Sequence, residues 1–156
     1  MLIDQLQRIL FSADALQPVL GKLEVGDDAS LGIVASVRPF VVASLFTREP
    51  RTIFVVVSGN DAAERFANDV AAYIGRAHVC VYPERMDMPW QDMRPDHKIV
   101  GARTRAIGLL ALGRPMVIVA SARALLRKVA PASGNVFSPL VITREDGVVD
   151  VATGEP

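Results

Sequence analysis

Apolar positions along the chain alternate between two periods. Leu2, Leu6, Ile9 and Leu10 recur at helical spacing, so an amphipathic helix opens the sequence. A second helical stretch covers Asp14 to Leu23, with Leu16, Val19, Leu20 and Leu23 on one side and Pro18 early in it. Gly26-Asp27-Asp28 breaks it. From Leu31 onward the pattern switches repeatedly between short apolar runs and longer amphipathic ones. Leu31-Gly32-Ile33-Val34 predicts a short buried strand. The helix after it is capped by Ser36, takes Pro39 in its first turn, runs to about Thr47 and is stopped by Pro50.

Thr52 to Val57 is a continuous β-branched apolar run, the pattern of a strand covered on both faces, and is expected at the centre of the sheet. The next helix is capped by Ser58 or Asn60, carries Ala63, Phe66, Ala67, Val70 and Ile74 on one face and ends at Gly75. His78 to Tyr82 predicts a strand, and Pro83 to Pro95 an irregular connection. A long helix is expected from Asp96 to about Leu112, followed by a strand over Met116 to Ala120. Ser121 then caps a short helix reaching Lys128. A loop over Pro131 to Pro139 leads to a last apolar run, Leu140 to Thr143.

Strands that alternate with helices of ten or more residues imply right-handed crossovers and parallel pairing. The expected fold is α/β, a three-layer sandwich with a parallel sheet flanked by helices. Three parts are expected: N-terminal helices over 1–27, an α/β core over 28–130, and over 131–156 a linker with the truncated start of a following domain.

Composition adds a few exclusions. With 51% hydrophobic and 22% charged residues, the chain is a folding rather than a disordered one. No apolar run approaches the ~20 residues that span a bilayer. Asp4 and Arg8 interrupt the N-terminal pattern, which is therefore not that of a signal peptide. The single cysteine, Cys80, lies in an apolar run and reads as a buried, inert thiol. A reducing, cytoplasmic location fits.

Seventeen basic residues balance seventeen acidic ones, but unevenly. Residues 1–92 carry 8 Lys/Arg and 12 Asp/Glu (net −4), residues 94–128 carry 8 and 1 (net +7), and residues 129–156 carry 1 and 4 (net −3). The middle block could form a local basic face and contact DNA, or could serve only helix ends and solubility.

Candidate chemistry is sparse. A phosphate loop needs G-x-x-x-x-G-K-[ST] after the first strand. Here Gly32 opens the stretch, but Val37 stands at the second glycine, Arg38 at the lysine and Pro39 at the hydroxyl, and Pro39 also removes an N–H donor. ATP hydrolysis by this chain is excluded on those grounds, and no catalytic residue, cofactor or metal ligand is expected. His78 and His97 have no matching ligand set. Glu84, Asp92 and Asp96 alternate with Arg85 and Arg94 and read as a solvated loop rather than an acid/base pair.

The most distinctive segment runs from Tyr82 to Arg103: Pro83-Glu84, Pro89-Trp90, Pro95, Ile99-Val100 and Arg103, followed by Met116 to Leu126. It resembles the N-terminal, UvrB-like region of the bacterial transcription-repair coupling factor family (Mfd). There a strand leads into P-[DE]-x-E-x-L-P-[YW]-[DE] and then S-P-H-x-D-I-[VI]-x-x-R-L. The likeness covers about residues 28–145. Arg94, Asp96, Lys98 and Thr104 stand where the family has serine, histidine, aspartate and leucine. The connection over Pro83 to Pro95 is too short for the DNA-probing hairpin that UvrB inserts there.

The resemblance implies a UvrB-like, degenerate phosphate-loop fold and a non-catalytic scaffold segment of a nucleotide excision repair factor. The family's full-length protein is an ATP- and magnesium-dependent DNA translocase that displaces stalled RNA polymerase and recruits UvrA. The UvrA-binding domain would begin within 131–156, and no membrane partner is implied. Trp90, Arg94, Lys98, Arg103 and Arg105 are the residues expected to organise the junction or meet a partner, with Arg103 turned inward and Arg105 outward. The alternative reading is a free-standing α/β domain that binds a small anionic ligand without a phosphate loop.

Overall fold

The computed structural model describes residues 2–85, 96–126 and 129. Two short helices come first, α1 (Leu2–Ser12) and α2 (Gln17–Val25). Pro18 sits in the first turn of α2, where its missing N–H costs nothing. Gly26 ends it at φ 80°, a left-handed position open to glycine, and Asp27 N–H closes onto Lys22 O at 2.8 Å. A 3₁₀ turn (Ala35–Val37) leads into α3 (Arg38–Arg48). The sheet and its crossovers follow: β1 (Ile53–Val57), α4 (Asn60–Ile74), a 3₁₀ turn (Arg76–His78), β2 (Val79–Tyr82), α5 (His97–Ala111), β3 (Val117–Ser121) and α6 (Ala122–Leu125).

All pairing is parallel, in the order β1-β3-β2. The crossover through α4 carries the chain two strand positions along, and the crossover through α5 brings it back into the gap. Right-handed connections running in opposite directions place their helices on opposite faces, and the packing follows. Val117 and Val119 of β3 pack with Ala63, Ala67 and Val70 of α4 and with Ala43 and Phe46 of α3. Ile118 and Ala120 pack on the other face with Tyr82, Ala106 and Ala124. The architecture is α/β with helices on both faces of a small parallel sheet. Each fully buried Val or Ile contributes roughly 1.5–3 kcal/mol through its removal from water.

Two expectations are corrected. The central strand is β3, buried at every position, and the 52–57 run supplies a flanking strand. Phe54 and Val56 of β1 remain 44% and 53% exposed on the face that carries Ile118 and Ala120. The two apolar runs are equally strong in sequence, and the order of the crossovers decides which is sandwiched. The second correction is Leu31 to Val34, which forms no strand. Interrupted by Gly32, it runs as an unpaired segment whose Leu31 and Ile33 line an apolar groove of about 450 Å³ with Leu16, Leu20 and Val55. Ser36 does not cap α3, since Val37 holds the N-cap position without a side-chain bond. The expected cap at Ser121 forms, accepting from Ala124 N–H at 3.0 Å, and Asp96, expected to start α5, caps it by accepting from Lys98 N–H at 2.8 Å.

Among the described residues no helix is long and apolar enough to cross a membrane. The expected loop and strand over 131–143 and the expected start of a new domain to 156 lie outside the described residues.

Candidate functional site

Parallel α/β sheets bind ligands beyond the carboxyl ends of their strands. Here those ends deliver polar residues: Asn60 three positions after β1, Glu84 two after β2, and Ser121 as the last residue of β3. They bond to one another. Asn60 Oδ1 accepts from the Glu84 backbone N–H at 2.9 Å, and Ser121 Oγ–H donates to Glu84 Oε1 at 2.5 Å. Ser121 Oγ in turn accepts from Ala124 N–H, so its hydroxyl is engaged both as donor and as acceptor. Its proton is thereby committed to Glu84, and one of its lone pairs ties β3 to the α6 turn. Asn60 does not cap α4 with its side chain, contrary to expectation, because its oxygen faces Glu84.

Arg103 completes the junction. It is 8% exposed on the sheet-facing side of α5. Its Nη1 donates to Pro83 O at 2.8 Å and to Ala124 O at 3.4 Å, and its guanidinium lies 3.9 Å over the Tyr82 ring. A buried cation requires partners of this kind. Helical geometry expects Arg103 inward and Arg105 outward, and the structure has that facing, with Arg105 exposed. Trp90 and Arg94 lie outside the described residues, as does Asp92.

Glu84 is half-buried and bonded, not solvated as the alternating charges of its neighbourhood imply. Asp96 caps α5. His78 is exposed at the end of the 3₁₀ turn before β2 rather than inside the strand, its ring 5.5 Å from that of Phe46. Gly32 is exposed in the unpaired segment, and Val37, Arg38 and Pro39 form the start of α3 rather than a turn at a strand end. Among the described residues no group of three or more His, Cys, Asp and Glu side chains is placed to hold a metal.

A second feature lies on the outer side of β2. An open groove of about 660 Å³ has α4 as one wall, β2 as its floor and α5 as the other wall. Lys98 and Arg105 line it from α5, and Arg76 from the turn before β2. Cys80 lies on its floor, half-buried, 3.9 Å from Met116 Sδ. Burial pushes its thiol above the ordinary value, and the Arg105 charge offsets part of that. The result is a thiol held protonated, not an activated nucleophile. Searches against protein-family models and against curated proteins give no match for the chain.

Proposed function

We propose that this chain is a non-catalytic scaffold domain of a transcription-coupled nucleotide excision repair factor, of the UvrB-like kind that precedes an ATP-driven DNA translocase. One observation carries the reading. Four described residues of the segments that carry the resemblance, Pro83, Glu84, Arg103 and Ser121, meet in space: Pro83 receives Arg103, and Glu84 next to it is bonded to Ser121 and also to Asn60. A motif spread over twenty residues thus serves one structural junction, at the sheet edge where related folds hold a nucleotide.

In this reading the junction fixes α5 and the β2 end so that a following domain is presented to UvrA, while RNA polymerase, ATP with magnesium, and most DNA contacts belong to other parts of a longer cytoplasmic protein. The degenerate phosphate loop of this reading rests on the sequence, since no strand precedes α3 among the described residues. Val37 adds a side chain where phosphate needs close approach, and Pro39 supplies no N–H.

Two measurements test this. The natural reading frame should continue beyond Pro156 into a translocase region with an intact phosphate loop, and termination at Pro156 overturns the proposal. Titration of the chain with ATP and magnesium in a calorimeter should give no saturable heat, and a micromolar dissociation constant overturns the degenerate-loop assignment.

A further inference from the structure

Among the described residues the cations of the +7 block do not form one face. Arg103 is consumed by the junction, whereas Lys98 and Arg105 line the groove outside β2. They stand seven residues apart on α5, two turns or about 10 Å along its axis. Arg76 joins them from the other end of α4, and all three are exposed. No carboxylate lines the groove among the described residues. A chain of zero formal charge therefore presents three like charges along one open channel.

The walls narrow the ligand class. Beside the cations they are built from small residues, Ala67, Ala71, Gly101 and Ala102, which allow a backbone to approach but form no pockets for side chains. A peptide strand added to β2 would need such pockets for specificity. A regularly charged polymer needs only cations at intervals along its path. We propose that this groove binds the phosphodiester backbone of a nucleic acid, without reading its sequence. The ring of His97 also lines the groove, at the N-terminal end of α5.

The magnitude is bounded by the number of cations. Three phosphate contacts give a slope of log K against log salt of about −2.1 for a single strand or −2.7 for a duplex. Raising salt fourfold then weakens binding about 20-fold or about 40-fold respectively.

The test is fluorescence anisotropy of the intact chain with a labelled 20-nucleotide single strand and with the matching duplex, across 50–200 mM salt. Polyglutamate of similar length serves as the competing anion. The expected result is salt-dependent binding to at least one of the two nucleic acids, with a slope in that range. It should be reduced by about one contact in Arg105→Gln and about two in Lys98→Gln/Arg105→Gln, with circular dichroism unchanged. Relative affinity for the two at the same salt concentration identifies which form the groove takes. Arg114→Gln, a cation outside the groove, should leave the slope alone. The proposal is overturned by absence of binding at 50 mM salt. It is equally overturned by a slope that Lys98→Gln/Arg105→Gln does not change, or by polyglutamate competing as well as unlabelled DNA.

Discussion

Arg103 is the residue whose removal separates a structural junction from a decorative one. In Arg103→Ala the Pro83 carbonyl loses a charged hydrogen bond of 2.8 Å, worth about 1.5–3 kcal/mol net. The stacking on Tyr82, at 3.9 Å and out of water, adds about 1–2 kcal/mol. Against these stands the relief of no longer burying a cation, which recovers part of the sum. The expected net loss is about 2–4 kcal/mol, and with a urea slope of about 2 kcal/mol/M the midpoint falls by about 1–2 M at constant slope. Arg103→Lys should fall between, because an ammonium cannot lie flat on the ring while donating along a fixed fork. Arg105→Ala, exposed on the other side of the same helix, should stay within about 0.5 kcal/mol. The comparison with Arg103→Leu is decisive. A leucine, apolar but shorter, keeps only part of the packing and removes the charge, so a Leu variant as stable as the parent would mean that burying the cation costs at least as much as its bonds return. Greater loss from Arg105→Ala than from Arg103→Ala would show that the facing of α5 is misassigned.

Other positions give independent checks. Ser121→Ala removes both the α6 cap and the tie to Glu84 and should cost about 1–3 kcal/mol by urea melt, while Ser121→Thr, which keeps the hydroxyl, should recover part of it. The Ser44 hydroxyl is buried with no hydrogen-bond partner among the described residues, so Ser44→Ala should raise stability by about 1 kcal/mol, seen as a higher melting temperature; a fall would show that the hydroxyl is satisfied. Because burial raises the pKa of the folded Cys80 thiol above that of a free thiol, the native state holds this proton more tightly than the unfolded chain. Stability from this group is therefore complete below pH 9 and lost as pH rises through the folded value. Alkylation of Cys80 by iodoacetamide should have its pH midpoint above that of a free thiol, and Arg105→Ala should move it higher still; a midpoint below the free value refutes the assignment.

The helices after the first glycine break were legible because their signals are local. Ala63 to Ile74 repeats with helical period, Gly75 stops it, and Asp96 and Ser121 sit where a side-chain acceptor is needed. Strand order was not legible. Thr52–Val57 and Met116–Ala120 are equally apolar, and which is enclosed depends on how two crossovers nest, a fact no single run contains. Leu31–Val34 misled for a related reason: four apolar-looking residues suffice for a strand only if a neighbour supplies hydrogen bonds, and these residues instead lay their side chains along a groove. The inward turn of Arg103 followed from its phase relative to Ile99 and Ala106. Its acceptor, Pro83 O, is a carbonyl of the proline-rich loop, the kind of partner a covered guanidinium needs, whereas the Asn60–Glu84–Ser121 chain was not legible, although each of these three residues lies within three positions of the end of an apolar run.

The junction also bears on where activity can reside. Beyond the strand ends, an α/β sheet concentrates backbone N–H groups and short polar side chains, and a ligand bound there must compete with whatever already satisfies them. In this chain the Glu84 N–H is taken by Asn60, the Glu84 carboxylate by Ser121, and the Pro83 carbonyl by Arg103. Admitting a phosphate would place its charge against the Glu84 carboxylate and break bonds that each stabilise the fold by about 1 kcal/mol or more. Lys98 and Arg105 line the groove outside β2 and take no part in these bonds among the described residues. Among the described residues, internal satisfaction at the strand ends and a groove lined by cations without a carboxylate divide the molecule into a part that holds shape and a part proposed to meet an anion. Single substitutions can separate the two: Ser121→Ala should alter stability without changing the salt slope for nucleic acid, and Arg105→Gln should change the slope without altering stability.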